Sequence, residues 1–245
     1  MRTRGAFVEG VAAGAPFLLV ILPFGALFGV VATEAGLDLM QTFALTSLVI
    51  AGASQFALVQ MLSDGAPAAL AVLTALAVNL RMAMYSASLT PHLGKAPLWV
   101  RALAAYFLVD QAYAAAIARY SRRPDEPLPR KIAFYFGVLL PVVPVWFLGT
   151  LAGATLGARI PPEYALDFAV PITFVAIVAP MLRSLPNLAA AFVASAAALA
   201  LAWAPYGSGL LLASAAGMGA GAAVELALER RRPAPEAQDE RRNAA

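Results

Sequence analysis

The feature that most constrains this chain is how long it goes without a charge. Residues 10–33, 39–63, 132–158 and 184–224 contain no Asp, Glu, Lys or Arg. A hydrocarbon core about 30 Å thick is crossed by roughly 20 helical residues. Only structures that satisfy their own backbone polar groups survive there, so such runs are read as helices. With 61% hydrophobic and 13% charged residues and a mean hydropathy of +0.76, the chain falls outside the soluble balance. The fold class is therefore an all-α integral membrane protein.

The span-length rule places crossings near 14–33, 42–62, 67–88, 99–118, 132–156, 166–182, 187–203 and 208–226, a bundle of about eight transmembrane helices. The basic start Met1-Arg2-Thr3-Arg4 resembles a signal peptide, but Glu9 and the length of the following run favour a retained first span. With both termini cytoplasmic, the inner segments hold Arg2, Arg4, Arg119, Arg122, Arg123, Arg130, Lys131, Arg183, Arg230, Arg231, Arg232, Arg241 and Arg242. The outer loops hold Lys95, Arg101 and Arg159. That asymmetry favours both ends inside, which requires an even number of crossings.

Residues 1–228 read as one transmembrane transporter domain, with a Pro-rich charged connector at 120–130. Residues 229–245 read as a disordered basic cytoplasmic tail, whose Arg230-Arg231-Arg232 anchors topology at the lipid surface. Pro16, Pro23, Gly25 and Gly29 are echoed by Pro141, Pro144, Gly149, Gly153 and Gly157 across the connector, a weak sign of an internal repeat. Paired Pro/Gly-interrupted spans mark binding sites in transporters built from repeats.

Charge and composition exclude several functions. The pI near 9.4 does not indicate nucleic acid, because the basic residues flank apolar spans rather than an aromatic-rich face. With no cysteine and a single histidine, His92, expected in an exposed loop, neither a thiolate or His metal cluster nor a Ser-His-Asp triad can be assembled. No Walker-type nucleotide loop occurs. The reading is a non-enzyme without cofactors.

Ala51-Gly52-Ala53-Ser54-Gln55-Phe56 interrupts the second apolar run with small and polar residues. A helix that breaks near Gly52 presents unpaired N–H groups and a positive dipole end, suited to a carboxylate. The alternative is close helix packing through Gly52 and Ala53, with Gln55 bonded to a neighbour. Pro16, Pro23 and Gly25 are expected to kink or unwind the first span. Arg81 lies inside the third span beside Asn79, at a cost of a few kcal/mol on insertion scales unless it is paired. Asp110 lies inside the fourth. At about 1.5 Å per residue the two are separated by some 7 Å of depth, within an arginine's reach, so an Arg81–Asp110 pair is expected. It either holds the spans together or takes part in proton coupling or substrate carboxylate binding. The glycine spacings Gly10/Gly14, Gly25/Gly29, Gly149/Gly153/Gly157 and Gly217/Gly221 indicate closely packed helices.

These residues in this order, Pro16, Pro23-Phe24-Gly25, Gly29, Ala51 to Phe56, Val78-Asn79-Leu80-Arg81, Tyr85, Pro91 and Asp110-Gln111, resemble the AzlC-type (azaleucine resistance) branched-chain amino acid permeases. The similarity runs from about Phe7 to Ala227 and is most specific between Gly10 and Asp110. Family members usually carry histidine after the motif arginine and an acidic residue after the span-four aspartate. Here these are Met82 and Gln111, which weakens a proton role at those two positions. The resemblance implies export of branched-chain amino acids, and often methionine, by a two-component secondary transporter with a small AzlD-type membrane subunit. On this reading Gly52, Ser54, Gln55, Phe56, Asn79 and Arg81 bind substrate and Asp110 takes part in coupling. The alternatives are a non-transporting subunit of a larger membrane assembly and the permease of an ATP-driven importer.

Overall fold

A computed structural model describes residues 3–157, 182, 184–204 and 208–230, and all of the regular structure among them is helical. The helices fall into two compact units, residues 1–170 and 171–245. The expected span at 166–182, Arg159, Arg183 and the tail from 231 onward lie outside the described residues. Glu229 and Arg230 continue the last helix instead of starting the tail.

The first unit opens with α1 (Thr3–Gly14), a 3-10 turn (Ala15–Phe17) and α2 (Leu18–Glu34), which together make one long apolar element. Pro16 tightens one turn of this element without unwinding it, and Pro23 sits on an exposed face of an unbroken helix. Gly25 is a packing notch. The expected helix break at these three residues is therefore not found: a proline on the outer face removes one backbone bond and leaves the rest of the ladder intact.

The partner of this element is α8 (Leu128–Gly157), which lies parallel to it along a seam of glycines. A methyl group on Gly14 would stand 2.7 Å from the Val138 carbonyl, one on Gly25 3.0 Å from the Trp146 carbonyl, and one on Gly149 2.8 Å from the Leu22 carbonyl. Gly10, Gly29, Gly137 and Gly153 meet the opposing backbone more closely still. Where lipid competes equally for apolar side chains, such close backbone approach is what holds helices together. The Pro/Gly echo in the sequence corresponds to these two faces packed on each other.

Between them lie α3 (Leu39–Leu48), α4 (Gly52–Ser63), α5 (Ala68–Leu93), α6 (Leu98–Tyr106) and α7 (Asp110–Arg122). Their contacts fix the directions. Going along α5 and α7 together, Arg81 meets Asp110, Tyr85 meets Tyr113 and His92 meets Tyr120, so these helices are parallel. The short α6, which joins the end of one to the start of the other, must run back. Likewise α3 leaves the end of the first element beside α8, with Phe43 against Phe147 and Thr46 against Trp146. The next helix returns to that same end, from which α5 starts. Thus 39–63 and 98–122 are two re-entrant helical hairpins that enter from opposite ends, rather than the single crossings expected at 42–62 and 99–118. Among the described residues, the helices long and apolar enough to cross a membrane are 3–34, 68–93 and 128–156.

The hairpins also re-sort the charges. Apart from Arg81, every described Lys and Arg of this unit, namely Arg4, Lys95, Arg101, Arg119, Arg122, Arg123, Arg130 and Lys131, lies at one end. Glu34, Asp38 and Asp64 lie at the other. Lys95 and Arg101, expected on the opposite side from Arg119, join it because the second hairpin does not cross. His92 is half-buried in the last turn of α5 against the Tyr120 ring, 5.1 Å between centroids, and is not in an exposed loop.

At the basic end Arg119 donates to both carboxylate oxygens of Glu126 at 2.8 Å and to Glu9 at 2.5 Å, and lies 4.3 Å over the Phe134 ring. The Glu126 side chain is only 2% exposed and is also 3.4 Å from Arg130. The hydrogen bonds from Arg119 hold its carboxyl below the usual 4.5. This network ties the Pro-rich connector to α1 and α7.

In the second unit α9 (Leu185–Ala200) and α10 (Ser208–Arg230) pack antiparallel through small residues. A methyl on Gly217 would stand 2.7 Å from Ala194, and one on Gly221 3.1 Å from Ala190.

Candidate functional site

Both hairpins break at mid-depth. From the start of α5, Arg81 is about 20 Å along at 1.5 Å per residue, and Gly52 is about 17 Å from the end of α4 at the same surface. The two tips therefore share a level, and the Tyr106 hydroxyl donates to the Ser47 carbonyl at 2.5 Å between them. Irregular backbone at membrane depth must be covered by protein. Ile50, Ala51, Leu108 and Val109 are accordingly buried.

The first tip starts from a capping box: Asp38 accepts from the Gln41 N–H at 2.7 Å and its own N–H donates to Gln41 at 2.9 Å, which sets α3. After Leu48 the backbone is extended, φ −132° at Val49 and −146° at Ala51. The β-branched Val49 and Ile50 favour that conformation. The new helix begins at Gly52, as the sequence suggested. Gly52 is required by space, since a methyl there would stand 2.8 Å from both the Phe24 and the Trp146 ring. Gln55, 0% exposed, staples the tip: its amide donates to Thr46 Oγ1 at 3.2 Å and to the Val49 carbonyl. Trp146 Nε1 donates to the same hydroxyl at 2.8 Å. Ser54, equally buried, donates to the Ala51 carbonyl at 3.1 Å. Phe56 fits between Phe24 and Phe28, with centroids at 5.0 and 5.3 Å.

The second tip differs in chemistry. Val109 is extended, with φ −130° and ψ 158°, and α7 starts at Asp110, whose carboxylate lies at the positive end of the new helix. Arg81 reaches it at 3.3 Å, the two side chains being 33% and 43% exposed. Tyr85 lies beside Asp110 and stacks on Tyr113 at 4.1 Å, and the Tyr113 hydroxyl donates to Ser88 at 3.2 Å. Asn79 Oδ1 and Arg81 Nε are buried without a hydrogen-bond partner.

Among the expected site residues, the structure brings Gly52, Ser54, Gln55 and Phe56 together at one tip and pairs Arg81 with Asp110 at the other, while Asn79, two residues earlier on α5, faces a different side of that helix. The expected Arg81–Asp110 pair forms, but by a different route: α5 and α7 are parallel with the two residues level, so no 7 Å offset has to be bridged. Sequence reasoning missed the second break, because Phe107-Leu108-Val109 contains neither Gly nor Pro. Its only signal was a polar Asp110-Gln111 in a long apolar run. Thr46, Tyr106 and Trp146 were missed as well, since single polar groups in apolar helices carry no pattern. Two cavities described at the basic end, of about 330 and 450 Å³, are lined by other residues.

Two half-helices whose N-termini face mid-depth from opposite ends form the arrangement used by membrane proteins that bind small anionic groups inside the bilayer. Arg81, whose Nε has no hydrogen-bond partner, and Asp110 supply polar groups there. Phe24, Phe28, Phe56 and Trp146 pack on one another beside the first tip.

Comparison with known proteins identifies the family. A family model described as AzlC protein matches residues 16–160. The chain is 30% identical over 182 residues to the inner membrane protein YgaZ of Escherichia coli (strain K12), covering 69% of this chain and 70% of that one. It is 27% identical to an uncharacterized membrane protein of Archaeoglobus fulgidus, over 72% and 76% of the two chains. With an uncharacterized membrane protein of Helicobacter pylori the identity is 29%, over 58% and 60%. No solved structure matches. The matched segment contains both hairpins and the α8 seam, and on these grounds the chain belongs to the AzlC family of membrane proteins.

Proposed function

We propose that this protein is a permease that exports branched-chain amino acids, with methionine as a further substrate, as the large subunit of a secondary transporter that works with a small AzlD-type membrane subunit. The observation that carries the reading is the pair of opposed re-entrant hairpins meeting at mid-depth, one tip aromatic and the other bearing Arg81 and Asp110. A zwitterion presents matching groups: its carboxylate suits Arg81 and a half-helix N-terminus, and its ammonium suits Asp110. The basic end is assigned to the cytoplasm by the positive-inside rule. Each hairpin then closes one side of the membrane, and alternating release of the tips moves substrate across.

The test is efflux of radiolabelled leucine from vesicles carrying the full chain with its small subunit, under an imposed pH or sodium gradient. Gradient-driven, ATP-independent efflux that exceeds empty vesicles is expected. Equal leucine release with and without the protein would refute the reading.

A further inference from the structure

Thr42, Gln55 and Thr150 are each 0% exposed, yet Thr42 Oγ1, Gln55 Oε1 and Thr150 Oγ1 have no hydrogen-bond partner. This is not how threonine hydroxyls behave elsewhere in the chain. Those of Thr33, Thr74, Thr90 and Thr155 each donate to the carbonyl one turn back. The three orphans are also neighbours. Thr46 and Trp146 are hydrogen-bonded across α3 and α8, which run antiparallel. One turn from each toward the acidic end lie Thr42 and Thr150, so they share a level. Gln55 bonds to Thr46, which stands one turn from Thr42 on α3. Thr46 itself is not available, because its oxygen already accepts from Gln55 and Trp146.

Three buried oxygens without donors, and with no Asp or Glu among them, form an acceptor-rich, uncharged nest. Leaving such atoms unpaired in a dry interior is costly. A divalent ion would lack the carboxylates it needs, and no group there titrates. We propose that Thr42, Thr150 and Gln55 hold a small monovalent cation between α3, α4 and α8. Because Gln55 also staples the first tip through Thr46 and Val49, the ion locks that hairpin closed. Its role as coupling ion rests on the transport reading; its binding does not.

The experiment follows thermal unfolding of the purified full chain in NaCl against choline chloride at equal ionic strength. A saturable rise of several degrees in sodium is expected, since a ligand bound only by the folded state stabilises it. The Thr42→Val/Thr150→Val variant, which keeps shape and removes both hydroxyls, is expected to lose the rise. Trp146 emission in a W99F/W203F background gives a second readout that does not depend on that variant's folding, and sodium is expected to change it. Identical unfolding and emission in sodium, lithium and choline would overturn the proposal and leave the nest to water. A sodium rise unchanged in the double variant would overturn it too. Sodium binding without any leucine efflux would refute the transport reading alone.

Discussion

The two hairpin tips are built alike and furnished differently. Each is a short apolar helix, a three-residue break and a second helix that starts at mid-depth. The first is closed by its own groups: Gln55 and Ser54 bond back to the tip, Gly52 admits two rings, and Ser54, Gln55 and Phe56 are buried. The second is left partly open, with Arg81 and Asp110 a third or more exposed and neighbouring polar atoms unpaired. The first tip is therefore a packed stop, and the second keeps a solvent-accessible ion pair, which is where we propose the polar end of a substrate binds.

The sharpest way to break this comparison is to place bulk at one tip and remove charge at the other. Gly52→Val puts methyl groups onto the Phe24 and Trp146 rings. Overpacking of this kind costs about 1–3 kcal/mol or more. The yield of monodisperse protein is expected to collapse, and normal yield would show that the aromatic cluster is loose. Asp110→Asn removes a half-exposed ion pair, worth about 0–1 kcal/mol. Yield within twofold of wild type is expected, with leucine efflux reduced more than tenfold, about 1.4 kcal/mol in barrier terms. If yield falls as far as in the Gly52 variant, the pair is structural and the two tips do not differ in kind.

The basic-end network sharpens the comparison by supplying a structural ion cluster as a reference. The Glu126 carboxyl is held below its ordinary value. A carboxylate depressed on folding contributes stability that is present above its unfolded value near 4.5 and is lost as pH falls through the folded one. Unfolding temperature should therefore drop below about pH 4.5, where unfolded carboxylates begin to bind protons that the folded one refuses. Glu126→Gln should flatten that drop while lowering stability at pH 7 by about 3–5 kcal/mol, because Arg119 loses its buried partner. Asp110→Asn should leave stability at pH 7 nearly unchanged. Between these, Gln55→Leu removes both staples of the first tip and is expected to cost about 1–3 kcal/mol, read as a lower unfolding temperature.

How much of this could be read in the sequence follows from the physics of each signal. The glycine seam was legible because close approach needs glycines at helical spacing on both faces, and Gly10, Gly14, Gly25, Gly29, Gly149 and Gly153 display it. The first break was legible because Gly52 and Ser54-Gln55 leave a small and polar mark in an apolar run. The hairpins were not. Hydropathy reads only that a segment is in hydrocarbon, and 39–63 satisfies it equally by crossing or by folding back. The second break left still less, since Phe107 to Val109 are ordinary lipid-phase residues, of which Leu108 and Val109 are buried against neighbours. The charges held the missing information: Lys95 and Arg101 fit the positive-inside pattern fully only if 98–122 does not cross.

The smallest expected effect tests whether the tips move apart. Tyr106 donates to the Ser47 carbonyl at 2.5 Å, joining the end of α6 to the end of α3, and its side chain is otherwise well exposed. Tyr106→Phe keeps the ring and removes one hydrogen bond, worth about 0.5–1.5 kcal/mol. A small fall in unfolding temperature is expected on that ground alone. The direction of the kinetic effect carries more. If transport requires the tips to separate and the bond is made only while they are together, its loss lowers the barrier to opening. Leucine efflux should then rise, by up to about tenfold for 1.4 kcal/mol. If efflux falls with the unfolding temperature, the bond persists through the cycle, the tips move as one body, and alternating access must come from elsewhere in the helix bundle.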